Sequence, residues 1–253
     1  MNNHPVCFVG AGPGAPDLIT LRGRRLLDEA DLIVYAGSLV NPVLLEGVRG
    51  EVHDSAGLDL DRIMDLVVPA ARAGKRVVRL HTGDPAIYGA IREQMRRLDA
   101  EGIAYEVVPG VSSALAAAAS LKTELTVPEL TQTVIFTRQA GRTPVPERES
   151  LRNLAAIRAS MCIFLSVSMM EEVAGELMAG GYPEDTPVAV VEKATWPGER
   201  IVRGRLADIA RRIREAGMKK TAMILVGQAL GEADSAESRL YASGFSHGYR
   251  RGR

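Results

Sequence analysis

Arg76-Val77-Val78-Arg79-Leu80-His81-Thr82-Gly83-Asp84-Pro85-Ala86-Ile87-Tyr88-Gly89 decides how this chain folds. Val77, Val78 and Leu80 predict a β-strand, Gly83 and Pro85 end it, and Ile91, Met95 and Leu98 at helical spacing open a helix just beyond. A strand that passes through a glycine-proline loop into a helix is the building unit of an α/β protein. Ligands of open α/β sheets bind beyond the carboxyl ends of strands, which is where this loop falls.

The same unit recurs on either side. Upstream, Val6-Cys7-Phe8-Val9 leads into Gly10-Ala11-Gly12-Pro13-Gly14-Ala15-Pro16-Asp17; a helix from about Thr20 presents Leu21, Leu26 and Leu27, and Leu32-Ile33-Val34-Tyr35 is a second strand. A helix is predicted over 59–73, with Ile63, Leu66, Val67 and Ala70 on one face, Gly74 as its stop and Pro69 as a potential kink. Downstream, Tyr105-Glu106-Val107-Val108 is a strand, and Pro109-Gly110-Val111-Ser112-Ser113 leads into an alanine-rich helix, Ala114 to Leu121. Strands alternating with helices predict a mostly parallel sheet covered on both faces.

Beyond Leu125 the texture changes to threonine-rich and β-branched runs. Strands are predicted at Thr131–Thr137, Met161–Leu165, Pro187–Val191, Ile201–Val202 and Ala222–Val226, with helices at Leu151–Ile157, Met169–Met178 and Leu206–Ala216. The predicted organisation is an N-terminal α/β lobe over 1–122, a C-terminal α/β lobe over 123–230 and a tail over 231–253. In the tail, Leu240, Tyr241, Phe245, His247 and Tyr249 stand among arginines, so it either frays or docks over a binding trough.

A chain of 253 residues buries a sizeable core without staples, and Cys7 and Cys162 sit in apolar runs that read as buried strands in a reducing compartment. Thirty-one basic residues balance 31 acidic ones, which argues against nucleic acid as partner. No stretch is long and apolar enough to span a bilayer, and the expectation is a cytoplasmic protein. No metal constellation, nucleophile elbow, Walker loop or Cys/His dyad is present.

Gly10, Gly12 and Ala15 formally satisfy a dinucleotide-binding spacing, but Pro13 and Pro16 have no amide hydrogen for a pyrophosphate, and no acid follows the second strand to hold a ribose. A nicotinamide oxidoreductase and a non-catalytic carrier are the alternatives from other classes. Asp84 has three readings: a helix cap, a turn-former or a ligand acceptor, the last favoured by Gly83 and Tyr88 beside it. Arg79, His81, Arg138, Arg142, Lys193 and Arg200 flank polar turns and are either solvated or aimed at a polyanionic substrate, and for His81 internal hydrogen bonding is an equal alternative.

Three motifs in order, Val9-Gly10-Ala11-Gly12-Pro13-Gly14 with Asp17-Leu18-Ile19-Thr20, Gly83 to Gly89, and Pro109 to Ser113, resemble the tetrapyrrole methyltransferase family. These are S-adenosylmethionine-dependent enzymes of sirohaem and cobalamin synthesis, and the resemblance runs from Val6 to about Leu230. Glu129-Leu130-Thr131-Gln132-Thr133-Val134, Gly141-Arg142-Thr143-Pro144-Val145-Pro146 and Lys193-Ala194-Thr195-Trp196-Pro197 are similar to the branch that methylates carbon 11 of precorrin-4 or of its cobalt-bearing counterpart.

The resemblance implies two α/β lobes with a cofactor cleft between them, a mostly parallel sheet in the N-terminal lobe, a mixed sheet in the C-terminal lobe, and a homodimer. It implies S-adenosyl-L-methionine as cofactor, leaving as S-adenosyl-L-homocysteine, and a small-molecule tetrapyrrole as substrate. Carried over position by position, the cofactor contacts are Pro13, Asp84, Ile87, Ser112, Ser113, Leu165, Ser166, Ala189 and Ala222, and no residue is assigned as catalytic. At Ser166 the uroporphyrinogen methylases of the family often have methionine. Arg79, His81, Arg138 and Arg142 are expected to orient the substrate's acetate and propionate groups.

Overall fold

The structure, a computed structural model, describes residues 4–231 and 242–251. They form two units: one is the chain up to Ala116 together with Lys193–Glu199, the other is Ala117–Glu192 with the chain from Arg200 onward. The division differs from the single cut expected at 122/123. It falls within a helix, and a later seven-residue segment joins the first unit.

In the first unit, five parallel strands, β1 (Val6–Gly10), β2 (Leu32–Tyr35), β3 (Glu51–Asp54), β4 (Val77–His81) and β5 (Tyr105–Val108), lie in the order β3-β2-β4-β1-β5. Period-two alternation sorts their side chains. Val6, Phe8, Leu32, Val34 and Val77 pack with α2 (Leu60–Arg72) and with Leu98 of α3 (Arg92–Ala100). On the opposite face Cys7, Val9, Ile33, Val78 and Leu80 pack with Leu27 of α1 (Leu21–Glu29). Chain connections leave the adjacent strands β1 and β4 toward opposite edges, so their carboxyl ends form the sheet's switch point.

Local chemistry sets the helix limits. Thr20 and Asp59 cap α1 and α2, accepting from the amides of Gly23 (3.1 Å) and Arg62 (2.9 Å). Gly74, with φ of 75°, ends α2. Pro69 does not break α2: it lies exposed on the solvent side, as does Asp65, whose carbonyl loses its helical donor. Strand β3 was not anticipated. It is an edge strand whose polar Glu51, His53 and Asp54 carry no buried alternation to read.

The second unit holds a mixed sheet, β6 (Val134–Arg138), β7 (Ser160–Phe164), β8 (Pro187–Glu192), β9 (Arg200–Arg205) and β10 (Ala222–Val226), in the order β6-β7-β10-β8-β9. Only β6 and β7 run parallel. Met161, Ile163, Val188, Val190, Ile224 and Val226 face α5 (Leu151–Ala155), α6 (Met170–Ala179) and α7 (Ile209–Glu215), which contribute Leu151, Val173, Leu177, Ile209 and Ile213 to one core. The remaining helix, α4 (Ser113–Leu121), contains the division between units.

Cys7 and Cys162 are buried free thiols, both pushed up to about 12 chiefly by burial. Among the described residues no helix is long and apolar enough to cross a membrane. Of the tail, Leu240 and Tyr241 lie outside the described residues. Phe245 and Tyr249 are exposed beside a turn that Arg250 closes on the carbonyls of Ala242 and Phe245.

Candidate functional site

The carboxyl ends of β1, β4 and β5 meet as bare main chain. Ala11 N–H donates to the His81 carbonyl (2.7 Å), and Gly12 and Gly83 exchange both of their bonds (3.2 and 2.8 Å). A Cβ on Gly10 would stand 2.6 Å from the Gly83 oxygen, and one on Gly110 only 2.1 Å from it. Glycine is needed at these positions because three backbones touch. The dinucleotide spacing noted in the sequence therefore has another cause. The amides of Ala11, Gly12 and Ala15 already have partners, the last donating to Thr195 Oγ1 at 2.9 Å, so they are not available to a pyrophosphate.

Asp84 ties two of these loops together. Its Oδ1 accepts from Ala86 N–H (2.8 Å) and its Oδ2 from Gly110 N–H (2.9 Å). It caps no helix, since α3 begins at Arg92. The turn reading is the structural one, and each oxygen retains lone-pair capacity toward a ligand. Beyond it Tyr88 and Ala90 hold left-handed backbone at φ of 55° and 50°, a costly conformation that recurs at functional loops. Ile87 and Ser113 are half-buried, whereas Ser112 is buried and accepts from Ala114 N–H (3.3 Å) at the start of α4. Pro13 is buried and its carbonyl accepts from Trp196 Nε1 (2.9 Å).

Arg79 and His81 do not face outward. Both are 4% exposed on the α3 side of the sheet. Arg79 donates to Gln94 Oε1 (3.0 Å) and to the Val34 carbonyl (2.9 Å), and burial brings its pKa down to about 10. His81 packs near Phe8, with ring centroids 6.0 Å apart, and its Nε2 has no hydrogen-bond partner among the described residues. Burial and then the Arg79 charge lower its pKa to about 3, so it is neutral at pH 7. The expectation that this pair grips substrate carboxylates is corrected accordingly: strand alternation turns residues 79 and 81 into the core.

In the second unit, Leu165 just beyond β7 is 67% exposed and holds φ of 55°. Ser166 beside it is fully buried, donating to the Phe164 carbonyl (2.6 Å) and accepting from Gln139 N–H (2.9 Å), so its hydroxyl is structural rather than a ligand contact. Ile224 pairs with Ile163, which puts Ala222 at the same end of the sheet as Leu165; Ala189, paired with Leu225, is buried three positions along. Arg138 is half-exposed; its guanidinium donates to the carbonyls of Gln139 (3.3 Å), Thr143 (3.1 Å) and Pro144 (2.7 Å) and shapes that loop. Arg142 is exposed. Arg200 is engaged by Glu192 at 2.6 Å.

Sequence reasoning missed Asn41, Thr195 and Trp196, whose side chains bond the turn after β1. The motif Lys193-Ala194-Thr195-Trp196-Pro197 had marked the segment by resemblance, but nothing in it pointed to the turn after β1. Among the described residues no group of His, Cys, Asp or Glu is arranged to hold a metal ion.

The family profile described as tetrapyrrole (corrin/porphyrin) methylases matches residues 5–210, and the chain belongs to this family of methyltransferases. A cobalt-precorrin-4 C(11)-methyltransferase of Methanocaldococcus jannaschii is 55% identical, covering 99% of this chain and 97% of its own. A precorrin-4 C(11)-methyltransferase of Pseudomonas aeruginosa is 48% identical, covering 98% and 99%. Among solved structures, a cobalt-precorrin-4 methyltransferase superposes with a TM-score of 0.88 at 50% identity over 90% of this chain and 96% of its own. A uroporphyrin-III C-methyltransferase of Thermus thermophilus complexed with S-adenosylhomocysteine gives 0.76 at 31% identity over 94% and 95%.

Proposed function

We propose that this chain transfers a methyl group from S-adenosylmethionine to carbon 11 of precorrin-4, forming precorrin-5 in cobalamin biosynthesis. The observation that carries the reading is near-full-length identity of 48% to a relative named for that position of that substrate, beside 55% to one named for the same position of cobalt-precorrin-4. A second reading, the same transfer to cobalt-precorrin-4, is favoured by the higher of the two identities. In that case the metal belongs to the substrate.

The residues present fit the cofactor. Gly83, at φ of 60°, holds a left-handed form that turns the main chain at this point, and Asp84 beside it is an anchored acceptor suited to an ammonium or a ribose hydroxyl. When bound, S-adenosylmethionine supplies an already activated sulfonium methyl to an electron-rich carbon. What remains for the protein is alignment and exclusion of water. In this reading Asp84 and the half-buried Ile87 and Ser113 hold the cofactor, Pro13 and Ser112 shape the wall, and Leu165 with Ala222 offers apolar contact. Ala189 contributes main chain, and Arg142 meets a substrate carboxylate. A cytoplasmic location and a homodimer are part of the proposal, the homodimer supported by apolar side chains exposed on the single chain, among them Leu21, Leu115 and Ile157.

Anaerobic turnover on precorrin-4 and cobalt-precorrin-4 separates the two substrates: methylation of neither rejects the proposal. Calorimetry with S-adenosylhomocysteine tests the cofactor assignment. Asp84→Ala removes both loop ties and is expected to weaken binding about tenfold, a loss of about 1.4 kcal/mol. Unchanged affinity would remove Asp84 from the cofactor site.

A further inference from the structure

Two consecutive peptide groups of the turn after β1, through three of their polar atoms, take side-chain partners from distant parts of the chain. Trp196 Nε1 donates to the Pro13 carbonyl (2.9 Å), Asn41 Nδ2 to the Gly14 carbonyl (2.8 Å), and Thr195 Oγ1 accepts from Ala15 N–H (2.9 Å). The indole also occupies the space that a side chain at residue 14 would need: an added Cβ would stand 2.1 Å from its Cδ1. The donating segment is held in a demanding form. Lys193 and Thr195 have φ of 52° and 68°, a region that β-branched residues rarely enter. Glu199 Oε2 accepts from Thr195 N–H at 2.6 Å and holds it there. A segment that only joined β8 to β9 would need none of these features.

We propose that Trp196 is a positioning residue for methyl transfer: with Thr195 it fixes the main chain from Pro13 to Ala15, and so the surface that Pro13 offers to S-adenosylmethionine. This rests on the cofactor reading of Pro13 given above. Trp196→Phe keeps an aromatic ring over Gly14 and strands the Pro13 carbonyl without its donor. Thr195→Val keeps the β-branched shape and removes the acceptor for Ala15.

The test uses the full chain. Each variant is expected to melt cooperatively, to bind S-adenosylhomocysteine roughly three- to tenfold more weakly, and to show a matching rise in the KM for S-adenosylmethionine with kcat held within about twofold. A merely structural role would lower the amount of active enzyme and leave KM unchanged. Trp196 is the only tryptophan in the chain, so emission of the wild-type protein should shift as S-adenosylhomocysteine is added and saturate with the calorimetric Kd. Wild-type affinity and KM in a folded variant, or unchanged emission of the wild type at saturation, overturns the positioning role. Failure of the wild type to bind S-adenosylhomocysteine at all overturns the cofactor reading, and is seen before any variant is made.

Discussion

The turn after β1 and the turn after β7 both end a buried strand, yet they rely on opposite residues. After β1 the chain uses Gly10, with Gly110 opposite, because main chains approach too closely for a Cβ, and Gly12 and Gly83 where φ is 77° and 60°. After β7 the left-handed position is Leu165, which bears a conformational cost of about 1–2 kcal/mol that glycine would avoid. Its side chain is 67% exposed, so the cost is not offset by burial within its own unit. Glycine thus marks a contact between backbones. The left-handed leucine makes no such backbone contact, and under the proposed function its exposed side chain is presented to the cofactor.

The strongest way to break this contrast is Gly110→Ala. The added methyl meets the Gly83 carbonyl oxygen at 2.1 Å, and that oxygen is backbone already bonded to Gly12. A loss of about 3 kcal/mol is expected, which lowers the melting temperature by roughly 6–12 °C for a protein of this size. Melting unchanged in calorimetry would mean that the three strand ends are looser than described.

The same strand end carries His81, whose burial should be visible as pH dependence. Its folded pKa of about 3 lies below the ordinary 6.5, so between these values the unfolded chain takes up a proton that the folded chain refuses. The stability from neutral His81 is complete above about pH 6.5 and is lost as pH falls toward 3, by up to about 1.4 kcal/mol per pH unit. Urea unfolding across this range should show that slope, and His81→Asn should flatten it. An equal slope in the variant assigns the effect elsewhere.

Leu165→Gly sharpens the other half of the comparison. Relief of the left-handed strain should raise stability by up to about 1 kcal/mol, while affinity for S-adenosylhomocysteine falls about tenfold through lost apolar contact. Lower stability, or intact affinity, would count against presentation as the purpose of the strain. The smallest effect belongs to Arg142→Ala. Stability should stay within about 0.5 kcal/mol, and the KM for the tetrapyrrole should rise roughly two- to fivefold, as suits an exposed charge pair.

Much of the fold was legible because buried alternation and helix-stop chemistry are local: Val77 to Leu80 reads as strand from its own residues, and Gly74 ends α2 without reference to anything distant. Strand β3 was not, since an exposed polar edge lacks that pattern. The candidate site was legible as loops but less so as side-chain roles. Nothing near Arg79 in the chain announces that its guanidinium will bond the Val34 carbonyl, nor near Arg138 that it will fold back on Pro144. In both cases a basic residue beside a turn suggested an anionic ligand, and the partners it has in the structure include main-chain carbonyls. The partners of Pro13 and Ala15 were hidden for a related reason: they come from residues 195 and 196, a separation that no local pattern spans.

The return of Lys193–Glu199 to the first unit has a consequence for how the protein is made. All five parallel strands leave the ribosome before this segment has been translated, and at about 5–20 residues per second the remaining stretch takes several seconds or more. During that interval neither Trp196 nor Thr195 exists to partner the Pro13 carbonyl and the Ala15 amide. The nascent sheet can pair its strands, but the turn that closes its first crossover is finished only after much of the second unit has been synthesised.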